Sequence, residues 1–219
     1  MLTRCARWSV AGSGDSGRVP SSRAERKRAQ RVERLERTAA RIFAEKGYDG
    51  ANFDLIAAEL DLRGPSLYHY FSSKEELFLR CVQKSGDEVF ARLRAIATAT
   101  EDLADRLRAL FREQVLIEVR DYPEFVPLFF KTSVPIAELR ETVLRIRREH
   151  AAIFEEAARR VADRHGIGAA ELRLRLGIAF GALAYLPEWY DPRGALAPEE
   201  LADQLADLLA APFLSLSPA

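Results

Sequence analysis

The chain has 219 residues, 48% of them hydrophobic and 30% charged. That composition excludes a wholly disordered or fibrous protein, and the length suffices to bury a core without disulfides. Thirty-three basic residues balance thirty-three acidic ones, so net charge points to no partner. Cys5 and Cys81 are too few for a disulfide framework, and no apolar run approaches the ~18 residues of a membrane span. A cytoplasmic protein with no membrane contact is expected.

Charge is uneven along the chain. Residues 1–50 hold 12 Lys/Arg against 6 Asp/Glu. Residues 1–21 contain Gly12, Ser13, Gly14, Gly17 and Pro20 without apolar periodicity, and a disordered tail is expected there. Ser22-Arg23-Ala24-Glu25 is a capping-box pattern. Behind it Val32, Leu35, Ala39, Ile42 and Phe43 recur at helical spacing until Gly47. Asn52 is placed to cap a short helix carrying Phe53, Ile56, Ala57 and Leu60.

A tight turn, Asp61-Leu62-Arg63, leads to a second short helix opened by Gly64-Pro65-Ser66 and running to Phe71. Two helices joined by so short a turn form a helix-turn-helix, about 52–71. Ala57 is small enough for the helix crossing, and Asp61 tolerates a positive φ in the turn. Leu62 and Leu67 are expected to point inward. Ser66, Tyr68, His69 and Tyr70 are expected on a surface suited to a major groove, although Tyr68 also fits a core position with its hydroxyl at the edge. Ser73-Lys74-Glu75-Glu76 reads as a further capping box. Lys74 then opposes the helix dipole, which suits either a plain surface lysine or a phosphate contact.

Downstream, Leu103, Leu107, Leu110, Gln114 and Ile117 form one helical stripe. Leu139, Val143, Ile146, His150, Ile153, Ala157 and Val161 form another, on a helix from about Ile136 to His165. Gln114 and His150 interrupt these stripes; if buried, each requires a partner, whether another side chain, a water or a ligand, and an edge-exposed position fits as well. With the aromatic material of Phe111, Phe125, Phe129, Phe130 and Trp189 they form a candidate pocket. Its ligand is expected to be mostly apolar with a polar or anionic end. Gly177, Gly181 and Ala184 make a small-residue face, and Leu201, Leu205 and Leu208 share one face of the last helix. Close packing within one subunit and a dimer interface both fit. His69, His150 and His165 lack metal-ligand spacing, and no nucleophile motif or glycine-rich phosphate loop occurs. No catalytic residue, metal or cofactor is expected. With no alternating apolar stretch, the fold class is all-α, about nine helices.

Arg41-Ile42-Phe43-Ala44-Glu45-Lys46-Gly47-Tyr48, Ile56-Ala57 and Leu67-Tyr68-His69-Tyr70-Phe71-Ser72-Ser73-Lys74-Glu75-Glu76-Leu77 together closely resemble the DNA-binding domain of the TetR family of bacterial repressors. The resemblance covers about residues 30–90. It implies that Gly64, Pro65, Ser66, Tyr68 and His69 lie at the start of, or along, the groove-facing helix, and that Tyr70 and Lys74 lie at phosphate-contact positions. Two departures stand out. Asp61 replaces the usual turn glycine, and Arg63 replaces the usual serine cap. Arg63 cannot cap but can reach a phosphate or guanine. The resemblance further implies that the last two helices build a homodimer. The expected organisation is a tail (1–21), a DNA-binding domain (22–90) and a ligand-binding and dimerisation domain (91–219). The expected function is a repressor that binds a palindromic double-stranded DNA operator and is released by a small-molecule effector. A helical carrier or enzyme for an apolar molecule is the competing class.

Overall fold

The computed structural model describes residues 22–99 and 101–214; the expected tail and Cys5 lie outside the described residues. Among the described residues the chain is helical, without strands, and forms nine helical bodies. They are α1 (Arg23–Gly50), α2 (Phe53–Ala58), a 3-10 helix α3 (Gly64–His69), α4 (Lys74–Ala99), α5 (Leu103–Leu116), a π-helical turn α6 (Pro127–Lys131), α7 (Ala137–His165), α8 (Ala169–Trp189) and α9 (Pro198–Leu214). A second π turn, Ile117–Asp121, continues α5 without a break. The all-α expectation holds.

Local chemistry sets the boundaries. Ser22 Oγ accepts from the Glu25 amide, and the Glu25 carboxylate accepts from the Ser22 amide, closing the first capping box. Gly47 adopts φ 72°, ψ 174° and breaks the helical path inside α1. At Ser73 the box closes differently. Ser73 Oγ accepts from the Glu76 amide, but the Glu76 carboxylate takes the amide and hydroxyl of Ser72 instead of the Ser73 amide. Gly166, at φ 70°, ends α7 in the left-handed region.

α1 and α4 pack through Leu35, Ala39 and Phe43 on one side and Leu77, Phe78 and Cys81 on the other, with Phe43 and Phe78 edge to face at 5.1 Å. Buried Glu36 of α1 accepts from Arg80 Nε and Lys84 Nζ of α4, both at 2.9 Å. α4 passes through the expected boundary at residue 90 unbroken and goes on to pack against α5 and α7. It meets α7 at Gly86, where a Cβ would lie 3.3 Å from Ile146 Cγ2. One rigid helix therefore belongs to both halves of the molecule. α9 lies along α5, laced at its surface by Arg108–Asp207 and Arg112–Asp203.

Candidate nucleic-acid interface and buried polar cavity

The helix-turn-helix forms where the spacing places it. Asn52 caps α2 by accepting from the Leu55 amide at 2.9 Å. The turn is closed by Leu60 and Leu62 amides on the Ala57 carbonyl, with Asp61 at φ 55°. Aspartate serves there because its short side chain lowers the cost of the left-handed region. Ala57 is buried, as expected, but the tightest approach is elsewhere. A Cβ on Gly64 would sit 1.9 Å from Asp54 Oδ1. Gly64 is thus buried against α2 and offers no side chain to a partner.

α3 is a 3-10 helix of six residues, with Arg63 at its N-cap making no side-chain bond and Leu67 buried beneath it. Arg63, Pro65, Tyr68 and His69 are exposed, while Ser66 and Tyr70 are half-buried. The Tyr68 ring lies 4.7 Å from Phe53, yet the residue is 62% exposed. It rests on the core instead of entering it. Tyr70 turns toward α1, lining a groove with Arg28, Val32 and Arg80.

Lys74 does not stand free at the start of α4. Its ammonium donates to the carbonyls of Tyr48 (3.0 Å) and Ala51 (3.3 Å) and lies 4.3 Å from the Tyr48 ring centroid. The Tyr48 hydroxyl donates to Glu75 at 2.7 Å. Burial, then this bond, raises the Tyr48 pKa, and the same bond lowers that of Glu75. The joint ties the end of α1 to the start of α4, using groups that spacing alone cannot pair.

In the second half, Gln114 and His150 do face one another. His150 Nε2 and Gln114 Oε1 are 2.8 Å apart, and Gln114 Nε2 donates to Glu118 Oε1 at 2.7 Å. Glu118, 4% exposed on the π turn after α5, was not among the expected residues. Its spacing four residues after Gln114 within Val115-Leu116-Ile117 is the signal that points to it. Its second oxygen, Oε2, has no hydrogen-bond partner. Burial pushes Glu118 up to about 8, against the smaller lowering effect of the Gln114 bond, and burial brings His150 down to about 4. Burial thus favours the neutral form of both.

These three side chains border a cavity of about 30 Å³ completed by Val126, Phe130, Phe180, Leu183 and Ala184. Four of the expected aromatics stand apart from it. Phe111 is fully buried against Phe154 and Phe213, Phe125 and Phe129 pack on one another, and Trp189 is 52% exposed at the end of α8. Phe130 lines it as expected, and Phe180 is the aromatic wall that was not expected.

The small-residue face also resolves. Gly177 and Gly181 are exposed, and a Cβ at either meets nothing within 4 Å, so neither is closely packed against another described residue. Beside them Leu174, Ile178 and Tyr185 are exposed, and Leu208 of α9 is as well. Ala184 lies at the edge of that arc and lines the cavity. Leu201 is buried and Leu205 half-buried in the chain's own core, where α9 lies along α5.

A helix-turn-helix carried on an all-helical body defines a DNA-binding transcription regulator. Residues 37–81 match the model of the bacterial regulatory proteins, tetR family, and residues 100–212 match the tetracyclin repressor-like C-terminal domain. The chain belongs to the TetR family. Its members regulate transcription, which removes the enzyme reading. FasR, an HTH-type transcriptional activator of Mycolicibacterium smegmatis, is 36% identical over 89 residues, covering 38% of this chain and 41% of FasR. KstR2, an HTH-type transcriptional repressor of Mycobacterium tuberculosis, is 39% identical over 83 residues, with the same two coverages. The match spans about two-fifths of these relatives. A TetR/AcrR-family regulator of Thermobifida fusca superposes with TM-score 0.61 at 26% identity, covering 83% of this chain and 97% of that one. AibR, solved with isovaleryl coenzyme A and operator DNA, shares the fold at TM-score 0.71 and 22% identity, covering 81% and 97%. No described helix is long and apolar enough to cross a membrane.

Two expectations follow. Lys74→Ala removes a cation from two carbonyls and should cost about 1.5 kcal/mol of stability, read from urea unfolding. Where the third ammonium hydrogen also reaches a phosphate, the salt slope of DNA binding falls by about 1; an unchanged slope assigns Lys74 to the joint alone. Glu118 should impose a pH dependence of known sign. Its raised pKa means the folded chain holds a proton that the unfolded chain releases between about pH 4.5 and 8, so its contribution to stability falls across that window. Glu118→Gln should raise the melting temperature more at pH 8 than at pH 5, and equal gains would contradict a neutral buried acid.

Proposed function

We propose that the protein is a homodimeric repressor that leaves a palindromic operator when a small, mostly apolar effector enters the cavity bounded by Gln114, Glu118 and His150. The observation that carries this reading is the path from cavity to helix-turn-helix. Val126 and Phe130 wall the cavity, and α1 packs directly on α6. α1 also grips α4 through Glu36 and through the Lys74 joint. An effector that displaces Phe130 moves the surface on which α1 rests, and α1 carries α2 and α3 with it. An effector shifts the equilibrium only by binding the DNA-released arrangement more tightly. AibR, which has the same fold, was solved with both an acyl thioester and operator DNA.

The helix α3 is assigned to the major groove. Pro65, Ser66, Tyr68 and His69 take the base edges, with Arg63 free to reach a phosphate or guanine, and Tyr70 and Lys74 lie toward the backbone. Two copies reading one side of the duplex place their α3 helices about 34–36 Å apart or a multiple of it. The exposed arc of Leu174, Gly177, Ile178, Gly181 and Tyr185 on one face of α8 supports an isologous interface, because an apolar helix face of this kind is costly to leave in water, and Leu208 of α9 is exposed as well.

The reading is tested by selecting binding sites from random DNA with the parent, Ser66→Ala and His69→Ala. The parent should return inverted repeats, and each variant should relax preference by roughly 1–3 kcal/mol at the positions it reads. Identical preferences would remove both residues from the interface. Gly181→Leu should yield a folded monomer by light scattering and lose most operator affinity; a dimer would show that this face is not the interface.

A further inference from the structure

The hydrogen-bond chain at the cavity has a direction. The Gln114 amide gives its Nε2–H to Glu118 Oε1, which leaves Gln114 Oε1 as the acceptor toward His150 Nε2. His150 therefore carries its proton on Nε2. Each bond runs from His150 through Gln114 to Glu118, and each polarises the next. With Oε1 occupied as an acceptor, the carboxylic proton of Glu118 sits on Oε2. That atom is buried and has no partner, on a residue that lines the cavity. The chain ends in a donor that lacks an acceptor.

The surroundings decide what kind of acceptor fits. α5 contributes Gln114, α7 contributes His150, and α8 contributes Phe180, Leu183 and Ala184. The segment through α6 contributes Val126 and Phe130. Among the described residues no lysine or arginine lines the cavity, so an anionic group inside would face a neutral acid and a neutral imidazole. Arg147 lies behind Phe130 and does not line the cavity. Its Nε donates to the Phe129 carbonyl, and it lies over the Phe130 ring at 5.1 Å. Phe130 is the partition: it borders both the 30 Å³ cavity and an outer hollow of about 370 Å³ shared with Arg147, Arg148 and the Glu141 carboxylate that pairs with Arg148. At 39% exposure its ring has open space to swing into.

We propose that the effector delivers a neutral hydrogen-bond acceptor, the carbonyl oxygen of a ketone, ester or amide, to Glu118 Oε2, on an apolar body that takes the space vacated by Phe130. This narrows the expected ligand, since among the described residues no cation lines the cavity to meet the anionic end allowed by the sequence, and in the outer hollow Glu141 already pairs with Arg148, leaving Arg147 as the cation beside it. It rests on the reading of this cavity as the effector site. Because Glu118 is held near 8, the donor persists through neutral pH and is lost above it, while His150, near 4, stays neutral throughout.

The test uses the full chain and four probes of similar size: acetophenone, ethylbenzene, benzoate and benzylammonium. Dissociation constants are measured by ligand-observed NMR. Acetophenone should bind roughly 10-fold more tightly than each of the others, and its advantage should shrink from about pH 7 to about pH 9. Glu118→Gln retains a donor and should keep the preference while abolishing its pH dependence. Glu118→Leu should reduce acetophenone to the level of ethylbenzene. Phe130→Ala should strengthen binding of acetophenone and ethylbenzene alike by opening the partition. Preference for benzoate or benzylammonium, or a ketone preference that survives in Glu118→Leu, overturns the proposed chemistry and leaves the cavity as the site. Failure of every probe to bind both the parent and Phe130→Ala overturns the cavity reading as well.

Discussion

Six residues of 3-10 helix cannot hold their own shape in water, because the nucleation cost of so short a helix exceeds its few hydrogen bonds. The groove-facing surface of this protein depends on contacts that fix α3 from below. Leu67 is buried under it, Phe53 supports Tyr68, and Gly64 lets the α3 backbone close on Asp54. That last contact accounts for a glycine at the head of the helix. Any side chain there would displace Asp54 and tilt α3 relative to α2.

The support extends outward through buried polar groups. Lys74 binds the carbonyls left at the end of α1, where Gly47 turns the chain away from the helix axis. Glu36 lies buried between Arg80 and Lys84 on the same pair of helices. Removing either partner would leave an uncompensated charge or unsatisfied carbonyls, so α1 and α4 move as one body. Because α4 runs unbroken from the helix-turn-helix into the packing with α5 and α7, a change around the cavity has a stiff lever to act on.

The lever meets the cavity at the two π turns. A π turn adds a residue to a helical loop and rotates the side chains that follow. Here Ile117–Asp121 brings Glu118 inward beside Gln114, while Pro127–Lys131 sets Phe130 between cavity and surface. Asp121, at the end of the first turn, is held by Arg92 of α4 at 2.8 Å. The same short stretch thus borders the polar chain, the aromatic partition and the helix that carries motion toward DNA.

Periodicity and caps by themselves determined the helical class, the helix-turn-helix and its turn at Asp61, the ends of α7, and the fact that Gln114 and His150 point inward. These are local properties: a 3.6-residue period, a side chain that caps, a residue that tolerates positive φ. Tertiary structure alone decided the pairings. It turned Lys74 onto carbonyls 23 and 26 residues away, kept only Phe130 of the expected aromatics on the cavity, and added Glu118 and Phe180 to its wall. It left Gly177 and Gly181 bare while covering Leu201. Spacing reports which face of a helix is apolar, but neighbouring helices determine whether that face meets core, cavity or solvent. That choice depends on crossing geometry distant in sequence, which no local pattern encodes.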